Sequence, residues 1–135
     1  MKNLFLKIVS PDGEIFSGEA KSILVTTKNG EVQILSGHAD FFAPLGTGRA
    51  KLTLTDGKER LAALSGGFIL VSASETKVVS TTFEFSDKID LERAKLAKEK
   101  AEEKLRAAKN DRDIEIAKAK LARALSRIAV CEAAK

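Results

Sequence analysis

Asp90 and Arg93, three residues apart, and Arg123 and Arg127, four apart, are the pairs whose types and spacing suit ligand chemistry in this chain. Positions three or four apart share one face of a helix. A carboxylate there accepts hydrogen bonds, while a guanidinium presents a planar fork of donors that matches phosphate. This is the chemistry of recognition. A purely structural reading of the same residues has Asp90 at a helix start, Arg93 paired with it or with Glu92, and the second arginine pair solvated. Catalytic readings lack parts. No second His or Cys stands near His38 or Cys131 to complete a metal site, and no nucleophile, base and orienting group can be assembled. His38, in the polar loop Ser36-Gly37-His38-Ala39-Asp40, reads as a turn residue; Cys131 cannot form an internal disulfide and reads as inert. Ser65-Gly66-Gly67 lacks the lysine and further glycines of a phosphate-binding loop, so it reads as a backbone bend.

These candidates are positioned by a chain that changes character between Ser86 and Ala94. All seven phenylalanines precede that junction, and the segment after it is almost wholly Ala, Lys, Glu, Leu, Arg, Asp and Ile. Charge divides there too. Residues 1–86 hold nine basic and nine acidic side chains, whereas residues 87–135 hold fourteen and ten, the whole of the net +4. Upstream, strands are expected at Leu4 to Ser10, Glu14 to Ala20, Ser22 to Thr27, Glu31 to Leu35, Phe41 to Leu45, Gly48 to Thr55, Lys58 to Ala63, Phe68 to Ser72 and Lys77 to Phe83. Asn29-Gly30 predicts a type I′ hairpin, since both residues tolerate positive φ, and Asp56-Gly57 marks a second hairpin. Short strands at this spacing indicate an antiparallel sandwich or barrel.

Downstream the period becomes helical. Ile89, Leu96, Ala97, Ala101, Leu105 and Ala108 are expected on one face, and Ile114, Ala117, Leu121, Ala124, Leu125 and Ile128 on a second. Between them Asn110 can end one helix in the left-handed conformation, and Asp111 or Asp113 can cap the next, which predicts an antiparallel helical hairpin. Ser86 or Asp87 is expected to cap the first helix. The seam is largely alanine, so each contact removes little area at roughly 25 cal/mol per Å². Helix propensity, by contrast, is high. Such an arm can undock and stay helical, and its residues would span about 68 Å as one straight helix.

A chain of 135 residues supports one modest core plus an appendage. We expect a β-sandwich domain over 1–86 and a helical hairpin over 87–135. Without a cleavable signal or long apolar run, and with a single cysteine, the expectation is a soluble chain suited to a reducing cytoplasm. The isoelectric point near 9.2 raises a basic helical nucleic-acid-binding module as the alternative. No dense basic stripe, RNP-like motif or set of stacking aromatics accompanies it, so nucleic acid is not the expected partner.

Read together, Ile8-Val9-Ser10-Pro11-Asp12-Gly13, Gly30-Glu31, Ile34-Leu35-Ser36-Gly37-His38, Ala43-Pro44-Leu45, Ser65-Gly66-Gly67-Phe68 and Ile89-Asp90-Leu91-Glu92-Arg93-Ala94 resemble the epsilon-subunit family of F-type ATP synthases, nearly end to end. The resemblance implies a ten-stranded β-sandwich followed by two antiparallel helices. It implies a non-catalytic rotor subunit that binds the gamma subunit and the c-ring, peripheral on the cytoplasmic face of the cell membrane and attached only through the complex. It also implies an arm that lies on the sandwich in one form and, in another, extends to the alpha/beta catalytic head and inhibits ATP hydrolysis. No cofactor is required, but ATP is a regulatory ligand in some members. Their nucleotide contacts match Glu84, Ile89, Asp90, Arg93, Ala94, Arg123 and Arg127, with Lys100 where strong binders carry arginine. Lys keeps the charge and loses the fork. Glu31 and His38 fall in the family's region for meeting the c-ring, and Lys118, Lys120, Arg123 and Arg127 offer a basic face to an acidic segment of the head.

Overall fold

The computed structural model describes residues 3–134. Strands β1 (Leu4–Ser10), β2 (Gly13–Ala20), β3 (Ser22–Thr27), β4 (Gly30–Leu35), β5 (Phe41–Thr53), β6 (Glu59–Ser65), β7 (Phe68–Val71), β8 (Thr76–Val79) and β9 (Thr82–Phe85) lead through a 3₁₀ turn at Ser86–Lys88 into α1 (Leu91–Ala107) and α2 (Asp111–Ala133). Alternation places one face of each strand inward. Leu4, Leu6 and Ile8 are buried along β1, and Ile23 and Val25 along β3, each separated by a residue facing outward.

The layers are β2-β1-β8-β7 with the start of β5, and β4-β3 with the rest of β5, then β6 and β9. β5 serves both, pairing with β7 from Phe41 to Pro44 and with β6 from Thr47 to Thr53. Its buried positions shift parity on the way, from Ala43 and Leu45 to Ala50 and Leu52, and the facing strand takes up the shift as an irregularity between Val25 and Thr27. Nine strands stand among the described residues, against the ten that the resemblance implied, and Phe41 to Leu45 and Gly48 to Thr55, expected as two strands, form one. The segment Lys77 to Phe83 divides instead into β8 and β9. At the break Ser80 is buried, and its hydroxyl, 2.7 Å from the Thr82 carbonyl, holds the corner. One pair, β1 with β8, is parallel, contrary to an all-antiparallel reading.

The Asn-Gly turn forms without the type I′ geometry. Gly30 has φ +120, but no residue other than glycine has positive φ among those described, so Asn29 is not left-handed. The Thr27 hydroxyl closes the turn, accepting from the Asn29 N–H at 3.1 Å and donating to the Gly30 carbonyl at 2.7 Å. Asn110 likewise departs from expectation. It is extended and caps the start of α2, its side chain accepting from the Asp113 N–H at 2.8 Å, because asparagine is as good a cap as aspartate. The first cap is Asp90, not Ser86 or Asp87, which lie in or at the 3₁₀ turn.

The helices pack on each other, and α2 lies on β5 and β6. Their buried residues are Ala94 and Ala101 on α1, and Ala117, Ala124, Val130 and Cys131 on α2. Leu96 and Leu125, expected on the seam, are 57% and 45% exposed. Once Ala94 and Ala101 set the inner face, Leu96 lies about 200° around from Ala94.

The bend at Ser65-Gly66-Gly67 has a clear physical requirement. Gly67 has φ +94, and a Cβ there would collide with the Val79 carbonyl, whereas Gly57 at φ +91 faces open space. Gly67→Ala is therefore expected to lose more stability than Gly57→Ala in urea unfolding, with the Gly57 change alone near the about 1–2 kcal/mol of a left-handed alanine. Equal losses would contradict the close approach at Val79.

Candidate functional site

At its N-terminus α1 is fixed by Asp90, whose carboxylate accepts from the Arg93 N–H at 3.1 Å. This local cap aims the first turn of α1 over the β9 edge. The result is a groove of about 580 Å³ lined by Glu84, Ile89, Asp90, Arg93, Ala94 and Arg127, and also by Ser10, Asp12, Thr81, Thr82, Phe83, Lys88 and Ala97. Six of the eight residues matched to nucleotide contacts are thus brought together. The other two, Lys100 and Arg123, line a second cavity of about 220 Å³ with Ala97, Ala101, Lys104, Lys120 and Arg127. Ala97 and Arg127 belong to both walls, so the cavities adjoin.

Docking of α2 positions the second arginine pair. The Ser126 hydroxyl donates to the Gly48 carbonyl at 2.7 Å, and Arg127 Nε donates to Glu84 Oε1 at 2.7 Å. The side chains of Arg127 and Glu84 are about one third exposed, which makes this a screened pair of modest strength. The two cavities differ in polarity. The first mixes Arg93, Arg127 and Lys88 with Asp12, Glu84 and Asp90, and so offers acceptors as well as donors. The second is lined by cations and alanine alone. There the Lys104 ammonium, with a smaller effect from Arg123, pulls the Lys120 pKa below the ordinary lysine value.

Ser10, Asp12, Lys88 and Lys104 were not singled out from sequence. Lys104 had a signal, being four residues beyond Lys100 and so on its face. Ser10 and Asp12 had none, because the β1–β2 turn meets the groove only through the fold. In the docked arm Lys118, Lys120, Arg123 and Arg127 are not all on one side of α2. Lys120, Arg123 and Arg127 line one cavity, but Lys118 is not among its walls, since it lies about 200° around the helix from Lys120.

Glu31 lies at the start of β4, and His38 lies beyond its far end. Glu31 makes a two-point ion pair with Arg49, Nε to Oε2 at 2.6 Å and Nη2 to Oε1 at 3.1 Å. His38 sits in the loop before β5, its Nδ1 2.7 Å from the Ala39 carbonyl and its ring edge-on to Phe41. It borders a separate hollow of about 440 Å³ with Phe5, Leu35 and the β7–β8 turn. Cys131 is buried, its Sγ 4.0 Å from the Ser86 carbonyl. Among the described residues no cluster of His, Cys, Asp or Glu could hold a metal ion, and no helix is long and apolar enough to cross a membrane.

Comparison with known proteins settles the family. Residues 3–86 match the model of the ATP synthase delta/epsilon chain β-sandwich domain, and residues 87–132 match that of its long α-helix domain. The chain belongs to the ATP synthase delta/epsilon family. It is 38% identical to the ATP synthase epsilon chain of Bacillus pumilus over 130 residues, covering 96% of this chain and 98% of that one. It is 34% identical to the epsilon chain of Caldanaerobacter subterraneus, covering 96% and 94%. Among solved structures, a chain of the Euglena gracilis mitochondrial ATP synthase (OSCP/F1/c-ring) superposes with a TM-score of 0.80 at 23% identity, over 98% of this chain and 81% of that one. A chain of the Tetrahymena thermophila central stalk and c-ring gives 0.61 at 14% identity, over 98% and 96%. These two likenesses show the shared fold.

The Glu31–Arg49 pair yields a pH prediction. Hydrogen bonding from Arg49 lowers the Glu31 pKa, so the pair's contribution is present above the unfolded carboxyl value of about 4.3 and is lost as pH falls through the lower folded value. Chemical unfolding across that acid range should show a loss in the native chain, under about 1 kcal/mol for so exposed a pair, that is missing in Glu31→Gln. Parallel acid profiles would contradict it.

Proposed function

We propose that this chain is the non-catalytic epsilon subunit in the central stalk of an F-type ATP synthase, with an arm that regulates ATP hydrolysis and responds to ATP. The reading rests above all on the groove that gathers Glu84, Ile89, Asp90, Arg93, Ala94 and Arg127 in the docked form of the arm. Its mixed end suits a base and ribose, which carry donors for carboxylates, and the neighbouring cations at Lys100 and Arg123 suit phosphates. Nucleotide held between α1, α2 and β9 stabilises the docked arm by linkage, by about 2.7 kcal/mol at 100 times the dissociation constant. Arg127 is available to a phosphate through its terminal nitrogens while Nε stays on Glu84.

Released, the arm would carry Lys120, Arg123 and Arg127 away from the sandwich and toward the alpha/beta head, where they would meet acidic side chains. The two roles exclude each other, since arginines folded into the groove cannot engage the head. The sandwich would join the gamma subunit through exposed apolar residues of the first layer, Phe42 at 62% and its cross-strand neighbour Leu70 at 44% exposure. The His38 loop would meet the c-ring, which would hold the chain peripherally on the cytoplasmic side of the cell membrane.

Calorimetric titration of ATP into the full chain tests the sensor. Saturable binding is expected, weakened about tenfold or more in Arg123→Ala and in Asp90→Ala, as loss of one charged hydrogen bond implies. No binding at millimolar ATP would remove nucleotide sensing and leave the stalk role.

A further inference from the structure

The second cavity, whose Lys100 and Arg123 the proposed function assigns to a nucleotide's phosphates, holds two further cations, Lys104 and Lys120, that nucleotide binding leaves unused. Lys100 and Lys104 from α1 and Lys120, Arg123 and Arg127 from α2 surround about 220 Å³, with Ala97 and Ala101 as the remaining wall. No carboxylate lines it. Arg127 has its partner in Glu84, but among the described residues Lys100, Lys104, Lys120 and Arg123 take part in no ion pair. Lys104 and Lys120 come from opposite helices and line both this cavity and the hollow beside it. Asp113 lines the hollow on the other side of these two lysines, but its Oδ2 accepts from Asn110 Nδ2 at 3.0 Å and it pairs with neither.

Two ammonium groups facing across a seam of alanines push the helices apart, and little apolar burial opposes them. A multiply charged anion between them reverses the sign of the interaction. Alanine walls leave room for such an anion, and the cations come from both helices, so one ligand would bridge them. A single carboxylate or chloride does not match the charge of the cations gathered there. A chain of linked phosphates does, because it presents several oxyanions to cations of both helices.

We propose that the α1–α2 cavity binds condensed phosphate, with Lys104 and Lys120 as ligands beyond those of the nucleotide groove, and that an inorganic chain with no nucleoside closes the arm. The chemistry is shared by free tripolyphosphate and by the phosphate tail of a nucleotide. What is claimed is that the free inorganic chain suffices.

The test titrates sodium tripolyphosphate into the full chain by calorimetry, and follows melting of the arm by far-ultraviolet circular dichroism at matched ionic strength. Native chain and Asp90→Ala should both bind tripolyphosphate and melt at a higher temperature with it. The Lys104→Gln/Lys120→Gln double variant should bind at least tenfold more weakly, yet melt higher than the native chain when no ligand is present, because the repulsion is gone. That second readout separates loss of a site from loss of folding. Equal binding by the double variant, or the same melting shift from sodium chloride, would overturn the proposal. ATP binding without tripolyphosphate binding would overturn it and spare the sensor; tripolyphosphate binding without ATP binding would do the reverse.

Discussion

Where the arm meets the sandwich, α2 makes two short hydrogen bonds, Ser126 to the Gly48 carbonyl and Arg127 to Glu84, and buries only Ala117, Ala124, Val130 and Cys131. Alanine permits close helix contact but removes little apolar area. The sandwich is different: Leu6, Ile8, Ile23, Ile34, Leu45, Leu52, Leu64 and Ile69 are fully buried between its layers. One chain thus contains a core built from large side chains and an appendage built from small ones. The helices keep their own backbone hydrogen bonds and good helix formers in either position, so the docking contacts can open before the helices melt.

That contrast links the arm to its proposed work. Arg127 holds α2 to β9 through Glu84 and at the same time lines both cavities, so a ligand in either one acts on the contact that keeps the arm down. Repulsion at Lys104 and Lys120 loosens the hairpin from within, while anions bridging the helices would tighten it. In the proposed exchange between docked and released forms, the balance would rest on a few exposed or half-exposed charges, where small energies decide it.

Much of this was legible in the residues. The switch from period-two strands to a helical period near Ser86, the segregation of phenylalanine, and the turn signals at Pro11-Asp12-Gly13, Asn29-Gly30 and Asp56-Gly57 carry the sandwich and hairpin, because each is a local property of the chain. What stayed hidden was non-local. Nothing near β5 announces that it crosses between layers, or that β1 will lie parallel to β8. Leu96 and Leu125 were placed on the seam by an approximate helical period, whereas Ala94 and Ala101, and Ala117 and Ala124, set the inner faces. Asp90, Arg93, Arg123 and Arg127 stand out by type and spacing, whereas Glu84, Ile89, Ala94 and Lys100 come only from the family resemblance. Ser10 and Asp12 reach the groove from the other end of the chain, and no spacing rule connects them. Lys118 stands apart from the cavity for the opposite reason, since its closeness in sequence to Lys120 hides a half-turn of separation on the helix.

Native-state hydrogen exchange on the full chain without ligand measures the docking most directly. Weak docking predicts that amides of α1 and α2 exchange through openings of clearly lower free energy than those of β1, β3 and β5, as a separate cooperative unit. Uniform protection across arm and sandwich, ending in one common unfolding event, would contradict the view of the arm as a weakly held, detachable helix pair.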